Sequence, residues 1–148
     1  MQDKWTKPPI IKIYEALGAI ADDRIEIDGN SAKVYSSSMK KFYDVSFNKE
    51  ENAIMANDNG SFWIGYLGYP SIAYLMKAGI LDYKENIGNL FKDIQWKDIN
   101  VMFKNDFDKT IELIFSKFTD EQKGSIDSFA KSILKQIEEL NLNLLGKK

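Results

Sequence analysis

Two periodicities divide the chain. From Ile10 to Ile20 apolar residues recur at steps of three and four, with Ile10, Ile13, Tyr14, Leu17 and Ile20 on one stripe and Ile11 and Ala21 widening it. Pro8 and Pro9 precede this run, and a ring-locked φ with no N–H suits a first helical turn. The spacing predicts a helix over about residues 9–22. Beyond it the period falls to two. "RIEID" alternates Ile25 and Ile27 with charges, "DGN" signals a tight turn, and "SAKVYS" resumes the alternation with Ala32 and Val34. After the serines at 36–38, "KKFYDVSFN" sets Tyr43, Val45 and Phe47 on one face, "KEEN" makes a polar turn, and "AIMAN" offers a fourth strand. The expected unit is a four-stranded antiparallel meander with one face to cover, and the first helix is the expected cover.

The rest of the chain is spaced as helices. "YPSIAYLMKAG" has Pro70 in a first turn, Ile72, Leu75 and Met76 on one side, and Gly79 as a stop. "DYKENIGNLFKDI" sets Asp82 three residues before Glu85, in the manner of a capping box, and stripes Ile87, Leu90, Phe91 and Ile94. A third helix is expected from Trp96 through Ile99, Phe103, Phe107, Ile111, Ile114 and Phe115 to Phe118. The last follows Gly124 and Ser125, where Ile126, Ala130, Ile133, Ile137, Leu140 and Leu144 recur at steps of four and three, the seam of a helix lying along another. Phe129, Leu134 and Leu145 broaden that stripe, so either the chain folds it across its own sheet or two copies share it. Gly146, Lys147 and Lys148 read as a frayed end.

The expected architecture is therefore α+β: an N-terminal helix, the meander, then about four helices, the last two a hairpin packed on the sheet. Residues 1–148 form one domain, with 8–79 holding helix, meander and central helix and 80–148 a helical part. With 148 residues and 44% apolar content, the chain can bury a core without a metal or disulfide staple. Twenty basic residues face 22 acidic ones, and neither side of Gly79 departs from balance, so a general electrostatic grip on nucleic acid is not indicated. "MQDKWTKPP" lacks a signal-peptide pattern, which makes a cytoplasmic location the expectation.

Cysteine and histidine are absent. That removes thiolate nucleophiles, Ser-His-Asp and Cys-His arrangements, and zinc sites built from those residues. Carboxylate, Lys, Tyr and Ser chemistry remain, or oxygen-ligated magnesium or calcium. No cofactor is expected.

The most apolar stretch is "NDNGSFWIGYLGYPSIAYLMKAG", residues 57–79. It is uncharged from Asn59 to Met76, yet Gly-Tyr-Leu-Gly-Tyr-Pro would break a membrane helix in mid-span, so no membrane segment is expected. Two readings stand. In one, the segment is a buried bend from sheet to central helix, with glycines allowing close approach. In the other, Trp63, Tyr66, Tyr69 and Tyr74 present faces and hydroxyls to a ligand or partner, while Gly65 and Gly68 expose N–H groups to an anion. The buried bend is the expectation, because the Gly-x-x-Gly spacing lacks the other marks of a phosphate loop.

Two smaller groups carry candidate chemistry. Asp22, Asp23 and Asp58, with Asp28, lie near predicted turns, where a pair could hold magnesium or act as acid and base, or simply shape the turns. Lys33, Lys40 and Lys41, beside Tyr35, Phe42 and Tyr43, could begin a nucleic-acid face or form an ordinary wet sheet face. Residues 42–76, with "FYDV", a polar turn, "AIMAN" and a loop leading into Ile-Ala-x-Leu, resemble the SWIM zinc-binding module, a strand-strand-helix unit associated with DNA and protein binding. That family carries Cys-x-Cys at the second strand and Cys-x-His before the helix. Here "AIMAN" and Tyr69, Pro70 and Ser71 stand there, so all four zinc ligands are missing and the resemblance implies a zinc-free relative with no metal site. The expected function is a small non-catalytic protein-binding or adaptor module, with a protein partner or self-association through the C-terminal helices. A nucleic-acid accessory protein and a carboxylate- or magnesium-dependent enzyme are the alternatives.

Overall fold

A computed structural model describes residues 3–146, which places the expected frayed Lys147 and Lys148 outside the described residues. The elements are α1 (Ile11–Ala21), β1 (Ile25–Asp28), β2 (Ser31–Tyr35), β3 (Phe42–Asn48), β4 (Ala53–Ala56), α2 (Tyr69–Lys77), α3 (Glu85–Gly88), α4 (Trp96–Met102), α5 (Phe107–Phe115), α6 (Asp120–Leu140) and β5 (Asn143–Leu144). A π-helical turn spans Gly60–Ile64 and a 3-10 turn Asn89–Phe91. The fold is α+β with an N-terminal helix and an antiparallel meander, as the periodicities predict. The sheet order is β1-β2-β3-β4-β5, and β5 joins parallel to β4 through only two residue pairs, Ala53 with Asn143 and Ile54 with Leu144. Two residues are too few for alternation to show.

The register aligns Ile25 with Val34, Ala32 with Val45, and Phe47 with Ile54, which gathers the buried positions of β1 to β4 on one face, apart from Ala53 on the other. That face is covered by α2, which meets all four strands, and α1 packs on α2. The expectation that α1 covers the sheet is thus corrected. Both helices are buried around most of their circumference, from Pro70 to Met76 in α2 and from Ile13 to Ala19 in α1, so they form inner layers. An amphipathic pattern cannot rank two such helices. Beyond α1 an aromatic layer follows. Tyr14 stacks on Phe91 at 5.2 Å and tilts against Phe115 at 5.1 Å, and Phe91 meets Phe118 edge-on at 5.6 Å.

The helical half departs from expectation at three places. The helix expected over 96–118 breaks between α4 and α5, where Lys104 and Asn105 take φ of 54° and 62° and Asp106 caps α5 by accepting from the Lys109 N–H. The expected helix at 82–94 shrinks to one turn and a 3-10 extension. Helix α6 begins before Gly124, because Thr119 and Gln122 close a reciprocal capping box, and it ends at Leu140, with Asn141 left-handed at φ 49°. Leu144 therefore leaves the helical stripe for β5. Of the remaining stripe, Ile126, Ala130, Ile133 and Ile137 are buried and Leu140 is half-buried, with Phe129 buried and Leu134 half-buried beside them, and α6 packs against α1 instead of forming a hairpin on the sheet. Among the described residues no helix is long and apolar enough to cross a membrane.

Candidate functional site

Helix α1 is apolar except for Lys12 and Glu15, and their i,i+3 spacing sets both on one side. The Lys12 Nζ lies 2.9 Å from Glu15 Oε2, and the Asn100 side-chain amide of α4 donates to Glu15 Oε1 at 3.0 Å. Glu15 is 4% exposed and Asn100 8%. This pair sits in the wall of a cleft of about 450 Å³ bounded by α1, the bend at 58–69, the turn at 36–43, and helices α4 and α5. The Lys12 ammonium also lies over the Phe107 ring at 4.8 Å. Burial alone would lower its pKa, but the Glu15 charge and hydrogen bond, with Tyr66 and Asp58 nearby, outweigh that and raise it.

The glycine bend builds one end of the cleft. Asp58 is buried, and its Oδ2 accepts the Ser61 N–H at 3.2 Å, while the Ser61 hydroxyl accepts the Gly68 N–H at 3.2 Å. Gly65 closes the π-turn at φ 96°, donating to the Gly60 carbonyl at 2.8 Å. Gly60 and Gly68 serve close approach instead: a Cβ at Gly60 would run into the Tyr66 ring, and one at Gly68 into the Asp58 carboxylate. The glycines thus press an acid and a phenol into a single wall.

Arg24, at the mouth of β1, forms the opposite end together with the Ser36–Lys41 turn and Lys97. It is 4% exposed, its Nη1 donates to the Tyr35 carbonyl at 2.7 Å, and Asp22 Oδ2 stands 3.6 Å from its Nε. Ser37 Oγ accepts the Lys97 N–H at 3.1 Å, which ties this turn to α4. Tyr43 and Tyr69 line the middle, edge to face at 6.1 Å. Burial, with the charges of Glu15, Asp58 and the nearby Tyr43, pushes the Tyr69 phenol far up, against an opposing pull from Arg24. Burial is also the main cause that raises Tyr66.

The four aromatic candidates fall into three places. Tyr66 and Tyr69 line the cleft, Tyr74 is a core residue whose hydroxyl reaches the Gly29 carbonyl at 3.5 Å, and Trp63 is on the surface at 75% exposure. Asp58 enters the cleft wall, but Asp22 accepts the Asp93 N–H at 2.8 Å and Asp23 is an exposed left-handed residue. Among the described residues no three carboxylates converge where a metal could sit. Lys33 caps Phe42 at 4.8 Å and faces Glu26 and Asp44 across the sheet, so acidic neighbours surround it. Lys41 caps Tyr43 at 5.2 Å on the cleft rim, and Lys40 stays exposed in the turn. Sequence reasoning passed over Lys12, Glu15, Arg24 and Asn100. Two signals pointed to some of them: two charges inside an otherwise apolar helix, and a single arginine among 20 basic residues.

Fold and cleft define a small α+β protein with a preformed ionic pocket. The chain belongs to the family described as Uncharacterised conserved protein UCP014422, whose profile matches residues 5–143. No curated protein and no solved structure matches it.

Proposed function

We propose that the protein binds a small polar molecule in the cleft between α1, the glycine bend and α4. One observation carries this. Of eight buried side-chain polar atoms without a hydrogen bond among the described residues, six belong to residues lining this cleft. Two of the six are ion-paired, Glu15 Oε2 with Lys12 and Arg24 Nε with Asp22; the others are Asp58 Oδ1, Asn100 Oδ1, Trp96 Nε1 and Arg24 Nη2. A buried polar atom left unsatisfied costs about 1–3 kcal/mol, so such groups are few in native proteins. Their concentration in residues that line one hollow favours a ligand site there. A thermal-shift screen of small polar compounds tests the reading. Hits should lose their effect in Asn100→Leu, which removes a cleft acceptor. Hits unaffected by that change, or no hits at millimolar concentration, would count against the cleft.

A second reading, contact with another protein, has its own support in the apolar residues Trp63, Ile64, Val101 and Met102, each at least 60% exposed. Sedimentation of the wild type against a Trp63→Ser, Ile64→Ser variant tests whether these exposed residues join two copies.

A further inference from the structure

The cleft is not uniformly ionic. Lys12 and Glu15 cancel in its middle, where they are 2.9 Å apart. What remains is sorted by sign. Toward the glycine bend stands the Asp58 carboxylate, near the Lys12 ammonium, with Oδ1 free of a hydrogen bond and Oδ2 held by the Ser61 N–H. Toward the 36–41 turn stand Arg24, Lys41 and Lys97. Asp22 opposes them, its Oδ2 standing 3.6 Å from Arg24 Nε. Arg24 is the chain's sole arginine, is 4% exposed, and keeps Nε and Nη2 free of hydrogen bonds while Nη1 is anchored to the Tyr35 carbonyl. Nε and Nη2 together form the side-on fork that matches two oxygens of one oxyanion, a geometry lysine cannot offer.

Resting on the small-molecule reading above, we infer that the ligand is a zwitterion, with an oxyanion received by Arg24 between Lys41 and Lys97 and an amine received by Asp58. Tyr43 and Tyr69, between the two ends, leave an aromatic wall for the linker that joins them. A molecule with one charge would satisfy one end and strand the other, which is the basis for discrimination.

The test is an NMR titration of the isotope-labelled full chain with acetate, phosphate and methylamine as separate probes, then with glycine, β-alanine and γ-aminobutyrate. Acetate and phosphate should move amide signals of Arg24 and residues 36–41, methylamine those of residues 58–61. One of the three amino acids, whose length matches the span, should bind roughly ten-fold or more tightly than either single-charge probe, because linking the charges makes the second contact intramolecular. Comparing acetate with phosphate shows which oxyanion the fork takes. The exposed pair Lys41→Gln, Lys97→Gln, which keeps the buried structure intact, should weaken acetate and spare methylamine. Arg24→Gln should remove the acetate response altogether. If acetamide perturbs the Arg24 end as strongly as acetate, or the lysine changes spare acetate, the zwitterion assignment falls while the cleft remains a binding site. If no probe moves any cleft signal, both readings fall.

Discussion

Gly68 approaches Asp58 so closely that a side chain on the glycine would occupy the place of the carboxylate's Oδ2 and come within 2.7 Å of Ser61 Oγ. The backbone at Gly68 is extended, with φ −79°, so the requirement is for space and not for an unusual dihedral. Two hydrogen bonds, Ser61 N–H to Asp58 and Gly68 N–H to the Ser61 hydroxyl, link the three residues and fix the acid before any ligand arrives, as a preorganised site requires.

Gly68→Ala should therefore destabilise the protein by about 1–3 kcal/mol through overpacking. Gly124→Ala, in α6 with nothing within 4 Å of the added carbon, should stabilise it by about 1 kcal/mol through helix propensity. Urea unfolding of the two variants reads both signs, and equal effects would refute the steric account.

The start of α6 rests on the capping box, in which the Gln122 N–H donates to Thr119 Oγ1 at 3.1 Å and the Thr119 N–H to Gln122 Oε1 at 2.9 Å. Thr119→Ala should cost about 1 kcal/mol, and Thr119→Ser should restore most of it, since only the hydroxyl is needed. Chemical denaturation of the pair decides this.

Lys12 and Glu15 form a buried ion pair whose side chains are 14% and 5% exposed. Lys12→Met alone should cost about 3–5 kcal/mol, because it leaves Glu15 charged and uncompensated. Adding Glu15→Met should recover much of that loss. A double variant no more stable than the single one would show that the charge is not what matters.

Alkaline stability follows from the buried phenols. Desolvation, with the charge of Asp127, moves Tyr14 from 10.0 up to about 12. Between those values the unfolded chain has released the phenolic proton and the native protein has kept it. Stability is then fully present below pH 10 and lost as pH rises toward about 12. Tyr66, Tyr69 and Lys12 are raised as well and add the same sign. Urea midpoints should agree at pH values below about 9 and fall steeply near pH 11, and Tyr14→Phe should flatten part of that fall.

Local arithmetic in the chain determined the classes of element and the meander, because burial of every second residue or of every third and fourth is set within a few positions. It also determined what chemistry is absent, since no fold can supply a missing thiol or imidazole. It misplaced the break at Lys104 and Asn105, where the apolar spacing runs straight through a turn that only left-handed backbone reveals. Which helix covers the sheet was decided by tertiary structure, since α1 and α2 are both apolar nearly all round. So was the site. Glu15, Arg24, Asp58 and Asn100 are far apart along the chain and each looks ordinary in its own segment. Their charges acquire meaning only when folding removes water and sets them around one hollow, where the strength of a polar group depends on its neighbours in space.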